Sequence, residues 1–152
     1  MMYDPALVEP KREELVSIGF TEMKTPEEVD EKFGKAAPQG TTLLVVNSVC
    51  GCAAGMARPA VGLSLLDEDG PHPDNLLTVF AGQDGEATAR ARAYLSEIPP
   101  SSPAIFLVKD GQVVDLWHRH NIEGRDAREI ATELVDAYQK HCGVGVEAEA
   151  EA

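Results

Sequence analysis

The chain of 152 residues, 43% of them hydrophobic, is large enough for one domain to bury a core without disulfide or metal staples. Its formal charge of -13 and isoelectric point near 4.6 argue against a nucleic-acid partner and an anionic membrane surface, since phosphate recognition draws on clustered Lys and Arg. No apolar run approaches the roughly 20 residues of a membrane span, and Met1 to Lys11 carries acids and prolines where a signal peptide needs a basic start and an apolar centre, so the cytoplasm is the expected compartment.

Asp4-Pro5 is expected to cap and open a short helix, and Pro10 to begin another that carries Leu15, Val16 and Ile18 as far as Gly19. Thr25-Pro26-Glu27-Glu28 reads as a helix start, with Thr25 as N-cap and Glu28 reaching back as a capping box, and the helix is expected to end near Gly34. Thr41 to Asn47 is β-branched and apolar on both faces, as a central strand is. It leads straight into Cys50. The segment from Cys50 to about Leu66 predicts a helix kinked at Pro59, followed by a polar loop to Asn75, a buried strand from Leu76 to Phe80 and a helix from about Glu86 to Ser96. This strand-helix-strand-helix series implies parallel strands with a right-handed crossover.

Ala104 to Val108 and Gln112 to Trp117 are predicted strands joined by Lys109-Asp110-Gly111, a strong hairpin signal. A closing helix starts near Asp126, with Glu129 three residues on, carries Ile130, Leu134 and Tyr138 on one stripe and stops at Gly143. The order predicts an α/β, thioredoxin-like, three-layer fold: a central mixed sheet with a C-terminal β-hairpin and extra N-terminal helices. One domain is expected over 1–142, and residues 143–152, an acidic tail without periodicity, are expected to be disordered.

Of the three cysteines, Cys50 and Cys52 are one residue apart and Cys142 is distant, which is not the disulfide framework of a small secreted protein. The close pair sits where a strand ends and a helix begins, the place at which α/β folds expose functional side chains. A helix N-terminus favours a thiolate by up to about 2 kcal/mol, and about 1.4 kcal/mol moves a pKa by one unit, so a cysteine there is ionised more readily. The bland alternative, two small core residues, suits a lone helical cysteine better than a pair flanked by Gly51 and Gly55. A Cys-x-Cys metal site for Cu(I) or Zn stays open, although Cys142, His118 and His120 offer no second ligand pair at a recognised spacing.

Ser101-Ser102-Pro103 lies just before the hairpin, where thioredoxin-like proteins carry a cis-proline. A cis Ser102-Pro103 bond there would leave the Ser102 backbone to pair with an extended substrate peptide. Arg119 and His120 follow the second hairpin strand and should return to the Cys50 pole, where a cation lowers a thiolate pKa or holds an acidic thiol. An ordinary trans proline and a solvated Arg and His are the competing readings.

Asn47-Ser48-Val49-Cys50-Gly51-Cys52-Ala53-Ala54-Gly55, followed by Arg58-Pro59-Ala60, resembles the signature of the bacilliredoxin family. Thr78-Val79-Phe80-Ala81-Gly82-Gln83-Asp84, Pro100-Ser101-Ser102-Pro103 and Arg119-His120 before Ile122-Glu123-Gly124 agree with it. The resemblance implies a thioredoxin-like enzyme that removes bacillithiol, a low-molecular-weight thiol, from mixed disulfides on protein cysteines, with weak disulfide isomerase activity. It makes Cys50 the attacking and Cys52 the resolving cysteine; Asn47, Ser102, Pro103, Arg119 and His120 are expected at the substrate. No tightly bound cofactor or metal is expected, and bacillithiol is the expected co-substrate. Bacillithiol carries carboxylates, so an acidic protein must meet it with a local positive patch, for which Arg58 and Arg119 are candidates. A general disulfide isomerase or reductase is the alternative in the same fold.

Overall fold

The computed structural model describes residues 3–36, 39–51, 53–67, 69–95, 98–100 and 102–142. Cys52, Ser96, Ser101 and the tail from Gly143 onward lie outside the described residues, and with them the expectations placed on the tail and the Gly143 stop.

The strands are β1 (Thr21–Glu22), β2 (Thr41–Asn47), β3 (Asn75–Phe80), β4 (Ala104–Lys109) and β5 (Gln112–Trp117). They form one sheet in the order β1-β3-β2-β4-β5. β1, β3 and β2 run parallel, β4 is antiparallel to β2, and β5 is antiparallel to β4. The helices are α1 (Pro5–Val16), α2 (Pro26–Ala36), α3 (Arg58–Ser64), α4 (Gly85–Ala93), α5 (Arg119–Ile122) and α6 (Ala127–His141). Every residue of β2 is buried. Because side chains alternate along a strand, Leu43 and Val45 join one core with Leu15 of α1, Val61 of α3 and Leu134 of α6. Leu44 and Val46 join the other with Phe33 of α2 and Ala87 of α4. The result is the predicted three-layer, thioredoxin-like α/β arrangement, with β2 as the axis that carries the cysteine loop.

Several local expectations are corrected. Pro10 lies inside the single helix α1 rather than opening a second one. It removes the donor for the Ala6 carbonyl, but both residues are exposed, so water can replace the missing bond. α2 ends at Ala36, near Gly34 as expected; a Cβ at Gly34 would lie 2.5 Å from the Tyr94 hydroxyl, so glycine serves close packing there. Thr25 Oγ1 accepts from the Glu28 N–H at 3.2 Å as predicted, whereas the Glu28 carboxylate reaches one residue further back, to the Lys24 N–H at 2.8 Å. The helix after Cys50 is not a kinked α-helix but a π-helical turn, Ala53–Ala57, feeding α3, with Pro59 in the first turn of α3 where no donor is needed. The hairpin turn has positive φ at Asp110 (49°) and Gly111 (85°), as a primed two-residue turn requires.

Candidate active site

The carboxyl ends of β2 and β3 meet the start of β4 and the end of β5 at one pole. Asn47 pairs with Phe80, Val46 with Ala104, and Ile105 with Trp117. Cys50 follows β2 by three residues and is partly buried against the core that holds Leu43 and Val45. Its N–H donates to Ser48 Oγ at 3.0 Å, and its carbonyl accepts from the N–H groups of Ala53 and Ala54, both at 3.2 Å. The loop is therefore tied at both sides of the sulfur-bearing residue. Cys52 lies outside the described residues.

Beneath the loop is a buried polar frame that the motif did not announce. Asn47 is 2% exposed; its Oδ1 accepts from the Ser48 N–H at 2.8 Å and from Arg58 Nη1 at 2.9 Å, and its Nδ2 donates to the Lys11 carbonyl at 3.2 Å. The side chain expected at the substrate thus spends its polar atoms inside the protein. Arg58 is likewise no surface cation: it is 4% exposed, Nη1 also donates to the Ser48 carbonyl at 2.8 Å, and Nε pairs with Glu14 Oε2 of α1 at 3.0 Å. A signal for this existed in the sequence, because Arg58 is the sole charge between Asn47 and Leu66. A lone arginine in so apolar a stretch must be buried with partners or break the pattern.

The Ser102-Pro103 bond is cis. Since Ala104 pairs with Val46, Pro103 sits beside the end of β2 from which the Cys50 loop departs. Arg119 comes to the same place, as Nη1 donates to the Ser102 carbonyl at 3.5 Å while Nε approaches Glu123 at 3.4 Å. His120 is exposed on α5, a short helix the sequence did not reveal, and its ring stacks on that of His118 with centroids 5.2 Å apart. Ser102, Pro103, Arg119 and His120 thus lie at the pole from which the Cys50 loop departs.

On the flank of this pole, Arg12 of α1 makes a bidentate pair with Asp84 at 2.8 and 3.1 Å, pairs with Glu22 at 2.9 Å and lies over the Phe80 ring. Burial works against the guanidinium cation, but the hydrogen bonds and charges of Asp84 and Glu22 outweigh it and raise its pKa. Cys142 is elsewhere. It is buried, and burial pushes its thiol above the ordinary range despite a hydrogen bond to Thr41, the first residue of β2. No helix among the described residues is long and apolar enough to cross a membrane.

Residues 3–142 match the family described as "Disulphide isomerase". The chain is 54% identical to a bacilliredoxin of Salinibacter ruber over 143 residues, covering 94% of this chain and 83% of that protein. It is 51% identical to a bacilliredoxin of Bacillus cereus over 140 residues, covering 92% and 95%. Among solved structures, a mutant thioredoxin of Halobacterium salinarum aligns with a TM-score of 0.53 at 18% identity, covering 84% of this chain and 94% of that one. Thioredoxin of Fasciola hepatica aligns with a TM-score of 0.51 at 17% identity, covering 79% and 97%. These two likenesses concern the fold.

Proposed function

This chain belongs to the bacilliredoxin family and is a thiol–disulfide oxidoreductase, and we propose that it removes bacillithiol, or a similar low-molecular-weight thiol, from mixed disulfides on protein cysteines. Cys50 is the attacking residue and Cys52 the resolving one. The observation that carries this reading is the position of Cys50: beyond the carboxyl end of the central strand, on a loop pinned by Ser48, at the strand end to which Pro103 and Arg119 also come.

In the first step the Cys50 thiolate attacks the small-thiol sulfur of the mixed disulfide. A new S–S bond forms to Cys50, and the client sulfur leaves with the electron pair of the broken bond as a thiolate. In the second step Cys52, deprotonated, attacks the Cys50 sulfur and expels the small thiol, or a second thiol from solution does so. Each step exchanges one disulfide for another, so no net reductant is consumed until an external thiol gives up two electrons to reduce the Cys50–Cys52 bond. In this scheme the Ser102 backbone lies along the client chain, and Arg119 with His120 receives the carboxylates of the thiol. The protein's net charge of -13 makes a local cationic patch necessary for such a ligand.

The test compares one client protein carrying either bacillithiol or glutathione on the same cysteine. Release of bacillithiol at least about tenfold faster, a transition-state difference of about 1.4 kcal/mol, is the expected result. Equal rates, with efficient reshuffling of a scrambled protein disulfide, would instead support the second reading, a general disulfide isomerase. The description of the matched family favours that alternative.

A further inference from the structure

We infer that Arg58, held by Glu14 of α1, is a positioning residue that fixes the Cys50 loop and sets how readily the Cys50 thiol ionises. The inference rests on the reading of Cys50 as the nucleophile. Arg58 binds no substrate atom in this account. Its Nη1 spans Asn47 Oδ1 and the Ser48 carbonyl at 2.9 and 2.8 Å, and Ser48 Oγ in turn holds the Cys50 N–H at 3.0 Å. One guanidinium therefore fixes the two residues from which the Cys50 turn starts. Its charge is also enclosed: Arg58 is 4% exposed, whereas its ion-pair partner Glu14 leaves 48% of its side chain in water. Water weakens the field of the exposed carboxylate more than that of the buried cation. The contribution of this pair at the loop is therefore net positive, which favours a thiolate over a thiol.

The other charged groups at this pole are arranged differently. Arg12 is matched by Asp84 and Glu22, and Arg119 is exposed beside Glu123. His118 and His120 stack on each other on the side of α5. The Lys11 ammonium turns away to the Leu7 carbonyl at 3.2 Å. Arg58 differs from these in combining burial with hydrogen bonds directly into the loop. It also explains why α1 belongs to the site: Lys11 supplies the carbonyl that orients Asn47, and Glu14 the carboxylate that orients Arg58.

The experiment follows the pH dependence of Cys50 alkylation by iodoacetamide, read at the peptide by mass spectrometry, in a Cys52→Ser background. Arg58→Gln is expected to raise the midpoint by about one pH unit. Arg58→Lys, which keeps the charge but not the planar fork, should recover most of that shift. Glu14→Gln should lower the midpoint, by less. An unchanged midpoint in folded Arg58→Gln, or a shift of Glu14→Gln in the same direction as Arg58→Gln, overturns the inference. If Arg58→Gln does not fold, Glu14→Gln decides, and an unmoved midpoint there overturns it equally. Alkylation reports ionisation of Cys50 whether or not that residue is the nucleophile, so failure of the proposed function would show in the dethiolation assay and not here.

Discussion

Cys50 and Cys142 are separated by what surrounds them. Cys50 lies beyond the carboxyl end of β2, while Cys142 contacts Thr41 at the amino end, and seven strand residues at about 3.3 Å each put roughly 20 Å between the two ends. Burial further disfavours the Cys142 thiolate. Cys142→Ser is therefore expected to keep dethiolation activity near that of wild type in steady-state assays. A tenfold or greater loss, about 1.4 kcal/mol, would mean that Cys142 resolves the intermediate, contrary to its position. At the same scale, a reading from sequence can pick out cysteines and a proline by their chemistry, yet it cannot tell which polar side chains turn inward. Asn47 looks like a ligand-facing residue because it precedes the cysteines, and only the partners Ser48, Arg58 and Lys11 reveal it as the loop's internal anchor.

Among the elements, α6 is fastened to the hairpin by Glu133, which accepts from Trp117 Nε1 at 3.0 Å and from Arg125 at 2.7 and 3.1 Å. The hydrogen bonds from Arg125 are the main cause that holds the Glu133 carboxyl below the ordinary carboxylate range. A depressed carboxyl adds stability that is present above the unfolded value, about pH 4.3 for Glu, and is lost as pH falls through the folded value. Glu133→Gln should thus melt below wild type at pH 7, and the difference should shrink as the pH is taken below about 4. With 46% of the side chain exposed, the effect is modest; thermal melts at both pH values check it, and a difference that grows on acidification would contradict it. β2, the hairpin and α6 were legible because burial repeats with a simple period: every position in β2, and Ile130, Leu134 and Tyr138 along α6. β1 and α5 were not. Two residues of strand and four of helix carry no period, and they exist because β3 and the hairpin offer them an edge and an end to dock on. Pro10 misled for a related reason: proline is usual helix punctuation, but here it lies on the solvent side of α1, where water can replace the lost bond.

For the molecule as a whole, the charge of -13 means that most approaches to the surface are repulsive for an anion. Long-range repulsion is screened by salt, so transfer from an acidic client protein should speed up as ionic strength rises and transfer from a basic client should slow. Stopped-flow rates for two clients of opposite net charge test this; the same salt response for both would show that overall charge does not steer the encounter. The three layers leave one strand end beyond which Cys50 lies and to which Pro103 and Arg119 come, and the proposed chemistry stands on Cys50 being the sulfur that takes up the small thiol. Because a Cys-x-Cys disulfide closes a tighter ring than Cys-x-x-Cys, and departures from relaxed geometry cost up to several kcal/mol, the pair suits accepting and passing on an adduct better than reducing strongly. The most direct test exposes Cys50→Ala and Cys52→Ala separately to a bacillithiolated client and weighs each protein intact. Cys52→Ala is expected to gain the mass of one bacillithiol on Cys50 and to release the client thiol, while Cys50→Ala gains nothing. An adduct retained on Cys52 in Cys50→Ala, with Cys52→Ala inert, would contradict the assignment.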